Sequence, residues 1–420
     1  MTPAPESRVL RNIGVLARCL PAGPQDQIHE ITDAALAWQG GLIEWAGPER
    51  DLPEPLRHWP SEDAEGRLVI PGLVDCHTHL AFAGWRAGEF EQRIRGRSYL
   101  EIAAAGGGIA ATVTLTRAAR PEELVSRCLG HLAEMARLGV TTVEAKSGYG
   151  LGLEEEIGLL RVYDEVARRS PQRIVPTLLA AHTIPPEYRE RRGEYVNLVA
   201  DRIIPAAAAQ GLARFCDVFV EESAFTVPEA RRILEAARAH GMGLKLHADQ
   251  LSSSGGAELA GELGAVSADH LEQISTDGIG RMVSGGVVAV SLPFASLYLG
   301  MSPMPARQLI GVGIPVAVAT DFNPGSAPSY HLPLALTLAC LLQKMTPAEA
   351  LKGATVIAAR AVGLEAEVGS LEPGKSADFA VIDAPGVTQW LYHLVPNACV
   401  LTVVRGGEVW RKPADRLTGG

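Results

Sequence analysis

No apolar run in this 420-residue chain approaches the roughly 20 residues needed to cross a bilayer, so no membrane span is expected. Positive charge is in deficit. Lys+Arg 38 against Asp+Glu 48 gives a formal charge of −10, which argues against nucleic acid or an anionic membrane as the main partner. The six cysteines (Cys19, Cys76, Cys128, Cys216, Cys340 and Cys399) are far apart and form no C-x-x-C pair. A disulfide framework and a zinc ribbon are therefore excluded, and Cys76 reads as a small buried hydrophobe. The opening Met-Thr-Pro-Ala-Pro-Glu-Ser has neither the basic nor the apolar part of a secretory signal, so a soluble, cytoplasmic chain is expected. Gly106-Gly107-Gly108 is not followed by Gly-Lys-Ser/Thr and reads as a flexible active-site loop, not a phosphate cradle.

What is present is globular: 47% hydrophobic and 20% charged residues. The length suits one large α/β barrel with a smaller attachment. Residues up to about 70 read as short β segments, with Gly40-Gly41 as a hairpin turn. The same texture returns in 378–383 and 398–404, with Gly406-Gly407 as a second turn. Between them, eight compact apolar runs alternate with helical stretches such as Pro228 to His240. The runs are Leu68–Val74, Thr141–Glu144, Val175–Ala180, Asp217–Val220, Gly243–Leu246, Ala265–Ala268, Val287–Ser291 and Val316–Ala319. Short strands apolar on both faces, separated by helices, mean a parallel sheet, and eight such units close into a barrel. The expected fold is α/β: a (β/α)₈ TIM-like barrel over 70–362, with a small composite β-sandwich domain built from 1–69 and 363–420.

The residues after each strand carry the functional signal. His77 and His79 follow the first, Lys146 and Tyr149 the second, and His182 the third. Glu221 and Glu222 follow the fourth, His247 the fifth, His270 the sixth and Asp321 the eighth. Barrel enzymes build their sites from these loops, so the set converges on one axis. His29, His58, His131, His240, His331 and His393 lack this placement and read as ordinary.

Asp75-Cys76-His77-Thr78-His79 is the sharpest motif. Side chains two apart on an extended segment share a face, so His77 and His79 can bind one ion, joined by His247 and Asp321. Three imidazoles and a carboxylate leave a divalent ion with net positive charge and room for a water whose pKa falls towards ~7.

The run from Pro71 to His79, with Gly369-Ser-Leu-Glu-Pro-Gly-Lys-Ser-Ala-Asp378, resembles the amidohydrolase superfamily. Glu144-Ala-Lys-Ser-Gly-Tyr-Gly150, Ala181-His-Thr-Ile-Pro-Pro-Glu-Tyr188 and Thr320-Asp-Phe-Asn-Pro-Gly-Ser326 narrow the resemblance to its imidazolonepropionases, over essentially the whole chain. That resemblance implies one zinc or iron ion per chain, a homodimer, and 4-imidazolone-5-propanoate as the small-molecule substrate, opened to N-formimidoyl-L-glutamate. His77, His79, His247 and Asp321 match the metal ligands. Arg86, Tyr149, His182, Asn323, Gly325 and Ser326 match substrate-contacting positions.

The chemistry agrees with the resemblance. Asp321 can take a proton from the attacking water and pass it to the leaving nitrogen, and His270 can hydrogen-bond the developing oxyanion. With His247 they form the expected catalytic set. Arg86 has the planar fork that suits the propionate. Gln250 stands where deaminases of the superfamily carry a proton-shuttling glutamate. An amide cannot carry a proton, which favours ring recognition over deamination. A binuclear hydrolase would need Glu221 or Glu222 as an anionic bridge, with His182 and His270 as extra ligands. Lys146 is in the wrong place for a carboxylated bridge and reads as an ion-pair partner of Glu144 or a support to the site. Trp85, bulkier than expected beside Arg86, either reshapes the rim or covers the neighbouring loop, and Tyr99 is a lesser pocket candidate.

Overall fold

The structure is a computed structural model describing residues 7–98, 101–102, 105–394 and 397–413. Tyr99 lies outside the described residues. Five strands come first: β1 (Ser7–Ala17), β2 (Glu30–Gln39), β3 (Leu42–Pro48), β4 (Ser61–Asp63) and β5 (Leu68–Pro71). Eight follow: β6 (Leu73–Asp75), β7 (Val140–Lys146), β8 (Arg173–Ala181), β9 (Phe215–Val220), β10 (Gly243–Ala248), β11 (Ser267–His270), β12 (Val288–Ser291) and β13 (Val316–Val318). The last are β14 (Phe379–Ile382), β15 (Cys399–Val404) and β16 (Gly407–Arg411).

Strands β6 to β13 form one parallel sheet in chain order. The ring is joined beyond the strand ends, where Thr78 bridges Phe322 in parallel. There the Asp321 N–H donates to the His77 carbonyl at 3.0 Å and the His79 N–H to the Phe322 carbonyl at 2.9 Å. The barrel is thus stitched together by the backbone of the candidate ligands. Seven of the eight apolar runs supply barrel strands β7 to β13, the first supplies β6 with its second half, and helices between them cover the outside. The helix Val227–Ala239 shows why. A Thr226/Glu229 capping box and Pro228 start it, and Ala230, Ile233, Leu234 and Ala237 form its buried stripe.

The first run, Leu68–Val74, is divided between two sheets. Its β5 half pairs with β1 and β14, and its β6 half with β7. Gly72 is the crossing point, because a Cβ there would lie 2.3 Å from Thr141 Oγ1. The composite β domain expected from both ends of the chain is present as a mixed sheet in the order β16-β15-β14-β5-β1-β2-β3, with β4 on β1. Gly40 and Gly41 (φ 59° and 85°) make the β2–β3 turn as expected. The β15–β16 turn falls one residue earlier than expected, since the positive φ values belong to Arg405 and Gly406 (48° and 75°). Among the described residues no helix is long and apolar enough to cross a membrane.

Candidate metal and active site

Segment 77–79 continues the extended path of β6. The Thr78 hydroxyl donates outward to the Glu144 carbonyl at 2.6 Å, while His77 and His79 turn inward. One donor atom each from His77, His79 and His247 lies within 4.8 Å of the others, and the same holds for His77, His270 and Asp321. Asp321 Oδ1 is 3.5 Å from His77 Nε2 and 3.4 Å from His79 Nε2, and the Nε2 atoms of His79 and His247 face each other at 3.5 Å. All are buried, and His77 Nε2 has no hydrogen-bond partner. Three imidazoles and a carboxylate that converge with an orphaned nitrogen among them fit a metal ion.

Burial prevails in the titration of His79 and His247. It holds His79 below the usual histidine range and pushes His247 down to about 3, the neutral form a ligand needs. Burial alone would raise Asp321, but His77 and His79 hold it well below the usual carboxylate range.

Beneath the imidazoles lies a layer of fully buried charge. His77 Nδ1 donates to Asp269 Oδ2 at 2.6 Å, and His247 Nδ1 to Asp217 Oδ1 at 3.0 Å. An ionised carboxylate only accepts, so each ring carries its proton on Nδ1 and bares Nε2. Lys146 Nζ donates to Asp217 at 2.7 Å and Glu144 at 3.0 Å, and lies 3.4 Å from Asp269. Lys245 Nζ reaches Glu144 at 3.1 Å. These contacts outweigh burial, which opposes every charge, so Lys146 is raised while Asp217 and Asp269 are lowered. Lys146 thus pairs with Glu144 and also supports the site, joining the two readings offered for it. Sequence reasoning missed Asp217, Asp269 and Lys245. A signal was there: each is a charge inside a strand that should be continuously apolar, and Lys245 shares the inward face of His247 two residues on.

Above the imidazoles opens a cavity of about 320 Å³. His79, His247, His270 and Asp321 lie in its wall, with Arg86, Tyr149, His182, Gln250, Asn323 and Ser326. His77 is beneath, and Gly325 does not line it. His182 stacks on His79 with centroids 5.0 Å apart, and its Nδ1 lies 3.0 Å from the Gly148 carbonyl. Burial and the neighbouring His79 and His247 keep it well below the usual histidine range. Arg86 is nearly enclosed, with a side chain 7% exposed; Nε and Nη1 make no hydrogen bond, and Nε lies 3.8 Å from the Glu89 carboxylate.

The Asn323 side chain is largely spent on its own turn. Its oxygen accepts the N–H groups of Gly325 and Ser326, both at 2.8 Å, and its Nδ2 donates to the Asp321 carbonyl at 2.7 Å. Glu221 accepts from the Leu251 and Ser252 N–H groups and from the Ser252 and Ser254 hydroxyls, so it pins the loop after Gln250. Glu222 is exposed. Trp85 is half exposed and packs on Phe82, His131 and Phe322; it covers the cluster behind Asp321 and is absent from the cavity wall. Burial pushes the Cys76 thiol well above its ordinary value, in keeping with its reading as a core residue.

A closed parallel barrel with histidines and an aspartate at its strand ends is the design of metal-dependent hydrolases, and the amidohydrolase family matches residues 68–410. An imidazolonepropionase of Symbiobacterium thermophilum is 50% identical over 383 residues, covering 90% of each chain. An imidazolonepropionase of Geobacillus kaustophilus is 48% identical over 384 residues, again 90% of each. An adenosine deaminase from Xanthomonas campestris with bound zinc superposes with a TM-score of 0.70 at 20% identity, over 97% of this chain and 93% of that one; it shares the fold. The chain belongs to the amidohydrolase family and, within it, to the imidazolonepropionases.

Proposed function

We propose that the chain hydrolyses the cyclic amide of 4-imidazolone-5-propanoate to N-formimidoyl-L-glutamate. The observation that carries this reading is the meeting of two features at one small cavity: a buried three-imidazole, one-carboxylate cluster and an enclosed guanidinium. The likeness to imidazolonepropionases over most of the chain supports it. Water adds its hydroxyl to the ring carbonyl carbon, the bond from that carbon to the ring nitrogen breaks, and the nitrogen leaves as part of the formimidoyl group.

His77, His79, His247 and Asp321 would hold a single ion, zinc or iron. When bound, such an ion supplies Lewis acidity and lowers the pKa of water. Asp321, kept ionised at neutral pH, takes the water's proton and returns it to the leaving nitrogen. His270 hydrogen-bonds the carbonyl oxygen as negative charge builds there. Arg86 pairs with the propionate through the planar fork of its guanidinium. Gln250, Tyr149 and His182 orient the ring, and the turn from Asn323 to Ser326 closes the far side.

The test is loss of the ultraviolet absorbance of 4-imidazolone-5-propanoate on adding the protein. Turnover is expected, with loss on chelation and recovery on adding zinc or iron. A metal-loaded protein that leaves this lactam intact but releases ammonia from an aminopurine would replace the proposal with deamination.

A further inference from the structure

The end of β11 is bent against the preference of its residues. His270 and Leu271 are both left-handed, with φ of 81° and 65°, a region that side chains other than glycine occupy only when their surroundings impose it. The bend is anchored on β10 and the residue after it: the Leu271 N–H donates to the Ala248 carbonyl at 3.0 Å, and the Gln273 N–H to the Asp249 carbonyl at 2.8 Å. Its effect is to swing Glu272 back beside the ring two residues earlier. Glu272 Oε2 comes within 3.7 Å of His270 Nδ1, both side chains are almost fully buried, and neither atom has a hydrogen-bond partner. The other carboxylate oxygen accepts the Ser296 hydroxyl at 2.7 Å, from the helix Pro293–Leu299. His270 lines the cavity; Glu272 and Ser296 do not.

A buried carboxylate with one oxygen held and the other aimed at an orphaned imidazole nitrogen is costly unless the two meet. The 3.7 Å gap is wider than a hydrogen bond, and a small rotation of either side chain closes it. We infer that Glu272, braced by Ser296, is a positioning residue: it fixes the His270 ring through Nδ1 and so aims Nε2 into the cavity. This rests on the proposed hydrolysis for its kinetic consequence, but not for the contact itself. No motif in the sequence announced Glu272.

The experiment compares Glu272→Gln, Ser296→Ala and His270→Asn holoenzymes with the parent protein in kcat, KM, metal content and ring ¹⁵N spectra. Glu272→Gln is expected to lower kcat by about 10-fold or more with KM and metal content unchanged, and Ser296→Ala by less. On the His270→Asn background Glu272→Gln should cost nothing further, because its effect passes through that ring. The His270 Nδ1 resonance should move in Glu272→Gln and, more weakly, in Ser296→Ala. An unchanged kcat, an additive loss on His270→Asn, or loss of metal would each overturn the inference. If the parent protein does not hydrolyse the lactam, the proposed function fails, while an unmoved His270 resonance still overturns the contact on its own. Ser296→Ala keeps the test decisive if Glu272→Gln does not fold.

Discussion

The Arg86 guanidinium lies against the backbone of Gly325, so closely that a Cβ on residue 325 would fall 0.9 Å from Nη2. Gly325 does not hold a positive φ, so glycine is needed there for space and not for backbone freedom. The Asn323 side chain fixes the turn by accepting the Gly325 and Ser326 N–H groups. What resemblance marked as a substrate-contacting position is, in this geometry, the seat of the arginine.

Gly325→Ala is therefore expected to displace Arg86 without disturbing the metal cluster. KM for the lactam should rise about 10- to 100-fold, the equivalent of a lost charge-assisted contact of ~1.5–3 kcal/mol. Steady-state kinetics with metal analysis check it. An unchanged KM would show that the arginine's seat does not matter.

Arg86→Lys should fail to restore what Arg86→Ala loses. A lysine is a point charge without the planar fork, and its shorter reach cannot fill the enclosed slot. Both variants should raise KM more than they lower kcat. A lysine variant with parental KM would dismiss the bidentate clamp.

Asp269→Asn tests the support beneath His77. The carboxylate accepts from Nδ1 at 2.6 Å and so directs Nε2 inward; an amide can donate instead and move the ring proton to the ligating side. Metal affinity should fall about 10- to 100-fold in competition with a chromophoric chelator. Retained affinity would mean that the ring is oriented by packing alone.

His131 supplies a pH dependence away from the metal. It packs against Phe82 and Phe322, and burial, with Arg127 adding to it, lowers its pKa from 6.5 to about 4. As pH falls below 6.5 the unfolded chain gains its proton first, so stability drops between about 6.5 and 4. Exchange for a ring that cannot titrate removes this contribution. In His131→Phe the difference in Tm between about pH 7.5 and pH 5 should shrink. An equal difference would clear His131 of the acid sensitivity.

Much of the site was legible because barrel topology turns sequence position into spatial position. Once Thr141–Glu144, Gly243–Leu246 and Val316–Ala319 were recognised as buried parallel strands, the residues just past them had to share one end of the barrel. The alternation of His77 and His79 then put two imidazoles on one face. None of this needed a long-range contact to be known.

The supports were not legible, for a physical reason. Asp217 and Asp269 act through hydrogen bonds to histidines on other strands, and Lys146 joins them only because closure brings β7, β9 and β11 around one axis. Gly325 matters for a clearance against Arg86, more than 200 positions earlier in the chain. Glu272 reaches His270 through two strained backbone angles that no propensity favours. Strand order, metal-binding residue types and the end of the barrel they occupy are local properties, written in periodicity. Which ring nitrogen bears the proton, and what holds the arginine, depend on distances across the closed ring, and only folding creates those.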